Sequence, residues 1–383
     1  MTQPRHVVCF QQHLTHYREA FFQRSRDRLA ECAIRFDLVH GAPDAAAKIR
    51  NDRGQLPWAY EVEPVTIKIY GTSGVWVPMA EGIMTPQLVV VTQENRLLAN
   101  YAWLLRGHLG GPKVAFWGHG RNFQANAPAG LREQWKKLLV GRVDWWFAYT
   151  QMTRDILLGD AYPDERITVL DNAIDNDAFQ RDLASVTDAD LIALRAKVSV
   201  GEKGPVGIFC GSLYPDKRVG LMIKAADRIR AAIPSFSLVV IGDGPSADEV
   251  KAAALSRPWL HWVGVQKGRE KAAWFKLASV VFNPGSVGLH ILDSFCSGVP
   301  MVTTSDARHG PEIAYLDNGF NGLLATGGAA TYAHAVVSLL SDHAAFEAMR
   351  ANALASASRY TLDNMVTQFC DGIERCLAMD KKR

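Results

Sequence analysis

The chain contains no run of about 18 apolar residues, so nothing in it reads as a membrane-spanning helix. Cysteine is sparse. Six in 383 residues (Cys9, Cys32, Cys210, Cys296, Cys370 and Cys376) are scattered without a C-x-x-C or a Cys/His metal spacing. That argues against a disulfide scaffold or zinc module and leaves reduced, packed thiols. An excess of charge is missing too. Lys and Arg number 42 against 39 Asp and Glu, a net charge near +3, which gives no electrostatic reason to expect nucleic acid as partner. The opening M-T-Q-P-R-H-V-V-C-F lacks the apolar run of a secretory signal, so a cytoplasmic protein is the expectation. Repeats and low-complexity tracts are absent as well.

What is present is a regular alternation of short β-branched runs and longer amphipathic ones. In the first half the expected strands are residues 6–10, 34–40, 87–92, 113–117, 145–150 and 167–170. Helical periodicity fills stretches between them, as at 17–30 and 131–140. Around D-N-A-I-D-N-D-A-F (171–179) polar turn-formers interrupt the pattern. A helix over 187–198 then opens on Thr187 and Asp188 as N-cap candidates. A second series follows, with strands at 207–210, 238–241, 261–263, 280–282 and 301–303 and a clear helix over 219–232. Alternation of this kind predicts an α/β fold with two parallel sheets, each with helices on both faces. The expected domains are 1–173 and 174–359, with a closing helix within 360–383 long enough to reach back to the first.

In open α/β sheets ligands bind beyond the carboxyl ends of the strands, so the residues just after each strand are the ones to inspect. The first strand ends in Q-Q-H-L-T-H-Y-R, with no G-x-G-x-x-G, which counts against a dehydrogenase. Its polar side chains His13, His16 and Arg18 are candidates, as is Glu94 after the strand at 87–92. His119 lies between two glycines after the strand at 113–117. In the second half, C-G-S-L-Y-P-D-K-R places Lys217 and Arg218 between a turn and a helix, a good position for holding an anion. V-G-V-Q-K (263–267) offers loop backbone around Val265 for a base edge. The stretch N-P-G-S-V-G-L-H-I-L-D (283–293) supplies a turn, a helix start at Gly288 and Leu289, and one acid, Asp293, in apolar surroundings. A cation, bare N–H groups and a carboxylate fit for hydroxyls together suit a nucleoside diphosphate with its ribose.

These segments resemble glycosyltransferase family 4, the retaining enzymes of the GT-B fold. The resemblance rests on an ordered series: V-L-D-N-A-I-D, G-S-L-Y-P-D-K-R, I-G-D-G-P, the stretch ending at Asp293, and G-P-E-I-A-Y-L-D-N-G-F-N-G-L-L (310–324). It is strongest from about residue 165 to 325. It implies two Rossmann-like domains facing across a cleft, with a nucleoside-diphosphate sugar on the second and a glycan or lipid-linked acceptor on the first. It implies transfer with retention, no cofactor beyond the donor and no metal, and a setting such as bacterial surface polysaccharide synthesis. By the same resemblance Lys217, Gly288 and Leu289 meet the diphosphate, Asp293 the ribose and His119 the transferred sugar, with Gly211 and Ser212 also in the donor site. His13, His16, Arg18 and Glu94 fall where the family binds acceptor, and Glu312 matches a glutamate near the donor.

Two positions depart from the pattern. Ser212 stands where the family has arginine, which makes Arg218 the substitute cation to consider. Gly285 stands where the first of two paired glutamates is usual, leaving Ser286 to contact the sugar or the phosphate. These departures keep two other outcomes open, a catalytically silent binding partner and a sugar-nucleotide epimerase. His290 reads as packing. Asp188 and Asp190 mimic a D-x-D metal motif but sit at a helix start, where capping accounts for them. Arg24, Arg26 and Arg28 beside Phe21 and Phe22, with Trp135, Lys136 and Lys137, leave peripheral contact with an anionic membrane open.

Overall fold

The computed structural model describes residues 5–43, 53–69, 72–120, 141–201 and 204–382. The amphipathic stretch 131–140, with Trp135, Lys136 and Lys137, lies outside the described residues. The chain divides into two compact units, Met1–Ile174 with Leu362–Arg383, and Asp175–Thr361.

The first unit is built on a seven-stranded parallel sheet of order β3-β2-β1-β6-β7-β8-β9. Its strands are β1 (Arg5–Gln11), β2 (Ile34–Gly41), β3 (Tyr60–Val62), β6 (Leu88–Thr92), β7 (Lys113–Gly118), β8 (Trp145–Ala148) and β9 (Ile167–Val169). Central runs such as V-V-C-F and L-V-V-V are buried, as a strand covered on both faces requires. A two-stranded antiparallel ribbon, β4 (Val65–Ile69) and β5 (Thr72–Trp76), stands apart from that sheet. It was readable in the alternation V-T-I-K-I, which the pass along the sequence left unassigned. Helices α1 (Glu19–Glu31), α2 (Leu98–His108) and α3 (Gln151–Gly159) belong to this unit.

The final helix, α12 (Leu362–Ala378), packs in the same unit through Leu362, Met365, Val366, Phe369, Ile373 and Cys376, a three-and-four spacing that puts them on one face. The Phe369 ring lies 4.9 Å from that of Phe147 and 5.1 Å from that of Phe21. Lys113 caps the far end, donating from Nζ to the carbonyls of Cys376 at 2.8 Å, Leu377 at 3.0 Å and Met379. A charged donor on carbonyls that have no helical partner is worth about 1.5–3 kcal/mol. Lys113→Ala is therefore expected to lower the urea midpoint of this unit, whereas Arg24→Ala, removing an exposed pair, should shift it by less than half as much.

The basic face of α1 is committed to this packing. Arg24 pairs with Asp363 at 2.6 Å, Arg28 donates to Thr367 at 2.6 Å and approaches Asp371 at 3.5 Å, and the Arg26 guanidinium lies 4.4 Å from the centre of the Trp58 ring. Phe21 and Phe22 are fully buried. The stripe that suggested an anionic bilayer is thus largely the seat of α12, and its aromatic residues are core. Among the described residues no helix is long and apolar enough to cross a membrane.

The second unit carries a six-stranded parallel sheet of order β12-β11-β10-β13-β14-β15. Its strands are β10 (Val206–Cys210), β11 (Ser237–Ile241), β12 (Leu260–Gly264), β13 (Val280–Phe282), β14 (Met301–Thr304) and β15 (Gly322–Ala325). Five match the sequence expectation within two residues, and the edge strand β15 adds a sixth. Helices α4 (Asn176–Ser185), α5 (Asp188–Lys197), α6 (Val219–Ala232), α7 (Ala247–Ala254), α8 (Gly268–Leu277), α9 (Ile291–Ser297), α10 (Ala329–Ser341) and α11 (His343–Ala357) complete it. Thr187 caps α5 in a capping box with Asp190, which also pairs with Arg269, so the D-x-D look-alike is a helix start.

Candidate functional site

In the second sheet β10 and β13 are neighbours, and the strand order runs outward from them in both directions. Loops leaving two such strands diverge and open a crevice at their carboxyl ends. The loop after β10 carries Gly211 and Ser212 and then a 3-10 turn, Pro215–Lys217. The loop after β13 runs from Asn283 to His290 and enters α9.

The two loops are stitched together. The Ser286 N–H donates to the Asp216 carbonyl at 3.0 Å, and Lys217 Nζ donates to the Ser286 carbonyl at 2.6 Å. From below, Thr304 donates to the Pro284 carbonyl at 2.8 Å and Thr303 to that of Gly285 at 3.3 Å. The Lys217 side chain is only 15% exposed. Burial pushes its ammonium below the ordinary lysine range, while Asp216, 3.8 Å away, and the buried Glu312 pull the other way. Lys217 is thus a part-desolvated cation whose direction is fixed by backbone.

Gly285 explains itself at this junction. A Cβ there would fall 2.3 Å from the Asp216 carbonyl oxygen and 2.4 Å from the Lys217 Cα. The loops meet where a side chain would begin, so glycine is what permits the close approach. Gly288 is the opposite case, since a Cβ there would meet nothing within 4 Å. Gly288 therefore presents its backbone to open space just ahead of α9, with Leu289 next in the chain. Ser286 itself is 7% exposed.

Arg218 takes the left-handed conformation, φ 56° and ψ 48°, at a cost of about 1 kcal/mol for a residue with a Cβ. Its guanidinium donates to Asp306 Oδ1 at 2.8 Å, to the Asp306 carbonyl at 3.0 Å and to Thr304 at 3.2 Å. The cation expected to replace the arginine missing at Ser212 is engaged with Asp306. Ser212 is exposed at the mouth of the loop, and Gly211 bonds back to Ile241. Val265, after β12, is 58% exposed.

Asp293 is 5% exposed, and its Oδ1 receives a hydrogen bond from Lys271 Nζ in α8 at 2.8 Å. Sequence reasoning missed Lys271. Lys267, Lys271 and Lys276 look alike along the chain, and only the packing of α8 against α9 separates them. His309 was missed too: its Nδ1 accepts from the Val287 N–H at 3.2 Å and its Nε2 donates to the Thr304 carbonyl at 2.7 Å. His290 begins α9. Its Nε2 is sealed from solvent without a partner among the described residues, and burial, with Lys217 and Lys271 adding to it, pushes its pKa down to about 3.

In the first unit the carboxyl ends of β1, β6 and β7 lie side by side. Arg96 bridges two of them, donating to Glu94 at 2.8 Å and to Gln12 at 2.5 Å. His119, after β7, stacks on Tyr149 with ring centres 4.2 Å apart. His13 is half-buried and His16 exposed. Arg18, expected with the acceptor residues, is 8% exposed instead. Its guanidinium donates to Asn172 and to the Ala173 carbonyl at 3.5 Å, and stands 5.4 Å from the Trp117 ring centre. Arg18 is thus an interior residue of the first unit rather than an exposed one. Aromatic neighbours and an Asn carboxamide make that interior position tolerable for a charge.

Residues 204–342 match the family model described as Glycosyl transferases group 1. A D-inositol 3-phosphate glycosyltransferase of Stackebrandtia nassauensis is 28% identical over 236 residues, 55% of this chain. The chain spans about half the length of that curated relative, 50% by the aligned region. Among solved structures, Anabaena Alr3699/HepE in complex with UDP has a TM-score of 0.68 at 13% identity, covering 97% of this chain and 99% of that one. A glycosyltransferase from Rickettsia africae gives 0.70 at 11% identity, covering 98% and 99%. The fold shared with these structures is GT-B. The match over residues 204–342 falls within the second unit, which is similar there to the group 1 glycosyl transferases.

Proposed function

We propose that this chain is a glycosyltransferase that takes a sugar from a nucleoside-diphosphate donor held on its second unit and passes it to a glycan or lipid-linked acceptor on its first. The reading extends to retention of the anomeric configuration, to metal-independent catalysis, and to surface-polysaccharide synthesis as the setting. One observation carries it: Lys217, part-desolvated and aimed by the Ser286 carbonyl at 2.6 Å, ties together the two loops at the carboxyl ends of β10 and β13. The Anabaena protein of the same fold was solved with UDP and with UDP-glucose, which supports a donor of this class.

The chemistry follows from charge. Breaking the bond between the anomeric carbon and the donor oxygen sends an electron pair to the diphosphate. Fixed donors aimed at that oxygen lower the barrier because they need no reorganisation as the charge appears. Lys217 supplies a cation there, and Gly288 and Leu289 supply backbone with room in front of it. Asp293 takes the ribose, and the loop around Val265 takes the base edge. On the first unit, His119, fixed by its stack on Tyr149, faces the transferred sugar, with His13, His16 and Glu94 toward the acceptor.

Binding of the nucleotide is the direct test. Asp293→Ala should weaken a nucleoside diphosphate about ten- to hundredfold by calorimetry, the loss expected when a carboxylate's hydrogen bonds to hydroxyls are removed. Equal affinity in the two proteins would place the ribose elsewhere.

A further inference from the structure

We propose that Lys271 is a further donor-binding residue, which with Asp293 forms a two-point clamp on the vicinal hydroxyls of the donor's ribose. The proposal rests on the donor-binding reading above and adds a residue and a specificity to it.

The pair has the geometry of an unfinished site. Lys271 Nζ and Asp293 Oδ1 are 2.8 Å apart, with side-chain exposures of 22% and 6%. Oδ2 of Asp293 has no hydrogen-bond partner among the described residues and is not among the side-chain atoms sealed from solvent. Lys271 places one N–H on Oδ1, and its ammonium stands 4.5 Å from the centre of the Phe179 ring. No other hydrogen-bond acceptor reaches it among the described residues. A buried ion pair adds little stability by itself, because desolvation consumes most of the attraction. A purely structural pair is best served when both carboxylate oxygens are saturated by protein. Here an unused acceptor stands next to unused donors instead.

That combination has a natural complement. Each of two adjacent hydroxyls both donates and accepts, so the O–H of one donates a hydrogen bond to Oδ2 while the oxygen of the other accepts one from the Lys271 N–H. The location is right for a ribose. Lys271 lies within electrostatic range of Cys210, the last residue of β10, and Asp293 is one turn into the helix that follows Gly288 and Leu289. Burial pushes the Cys210 thiol up to about 12, so it stays neutral and does not compete with Asp293 for the ammonium. Asp293 also keeps Lys271 charged, overriding the burial that works against its ammonium.

The experiment measures affinity by calorimetry for UDP, GDP and ADP, each beside its 2′-deoxy and 3′-deoxy counterpart, in the wild type and in Lys271→Met. The wild type is expected to prefer the ribonucleotide about ten- to hundredfold over the deoxy forms, the effect of losing a hydrogen bond to a charged group. In Lys271→Met the preference over at least one deoxy form should fall to within about threefold, while the preference for each diphosphate over its monophosphate, titrated in parallel, is retained. A structural role for the lysine would leave the ribose preference untouched, and that result overturns the proposal. If Lys271→Met does not fold, Lys271→Met with Asp293→Leu exchanges the pair for apolar volume; a ribose preference surviving in it overturns the clamp equally. A wild type that binds none of the diphosphates overturns the donor-binding reading and the clamp together, whereas binding with an unchanged preference in the variant overturns the clamp alone.

Discussion

Replacing Lys217 by alanine is expected to cut sugar transfer at least about a hundredfold, with a smaller loss in affinity for the free nucleoside diphosphate. The asymmetry between the two effects is the informative part. In the bound donor the diphosphate charge is already partly met by backbone, whereas the departing oxygen gains charge only as the bond breaks. A group that meets charge chiefly in the transition state lowers turnover more than it weakens binding. Removing one such fixed donor typically raises a barrier by roughly 2–4 kcal/mol, which is the hundredfold or more expected here. The 2.6 Å bond to the Ser286 carbonyl keeps Nζ in one direction, so little of that effect is spent on ordering the side chain. The same bond joins two loops, and a melting temperature measured alongside separates lost chemistry from a loosened crevice. Near-normal turnover in a folded variant would remove Lys217 from the mechanism.

Gly285→Glu, which sets an acid where the resembling family carries one, is expected to damage the protein. The Cβ alone would lie 2.3 Å from the Asp216 oxygen and 2.4 and 2.5 Å from the Lys217 Cα and carbonyl carbon. All three are backbone, so no neighbouring side chain can swing aside. Relief requires the two loops to separate, breaking the Ser286-to-Asp216 bond and displacing Lys217 from its seat. Overpacking of this kind costs about 1–3 kcal/mol. In a unit of this size that is roughly 2–4 °C in melting temperature for each kcal/mol. Gly285→Ala should show nearly the same thermal loss, because the clash begins at Cβ, and both should lower turnover. A glutamate variant that melts like wild type and transfers sugar faster would contradict this picture of the junction.

The contrast between Gly285 and Lys271 shows what the sequence carried and what it withheld. Strand–helix alternation reflects local periodicity, so the longer strands of both sheets and helices such as α6 (Val219–Ala232) were legible, whereas α2, α10 and α11 were not named. Edge strand β15 and the β4–β5 ribbon were passed over because they are short or flanked by polar residues. Lys217, the Gly288 turn and Asp293 stand out in the sequence because their types suit an anion and a diol, and the fold sets the first two in loops after β10 and β13 and Asp293 in α9. Partners in space were not legible. Arg18 and Arg218 read as free cations until their acceptors, Asn172 and Ala173 for one and Asp306 for the other, came from distant segments. Gly285 read as a lost acid, whereas the fold makes it a point of backbone contact.

The central claim is that the crevice after β10 and β13 holds a nucleoside diphosphate, and thermal denaturation with UDP, GDP, ADP and dTDP tests it most directly. A ligand that binds only the folded protein raises its melting temperature, by an amount that grows with the logarithm of its concentration over its dissociation constant. One diphosphate should stabilise the wild type, and Lys217→Ala and Asp293→Ala should each reduce that stabilisation. No stabilisation by any of the four, or stabilisation equal in both variants, would contradict the claim.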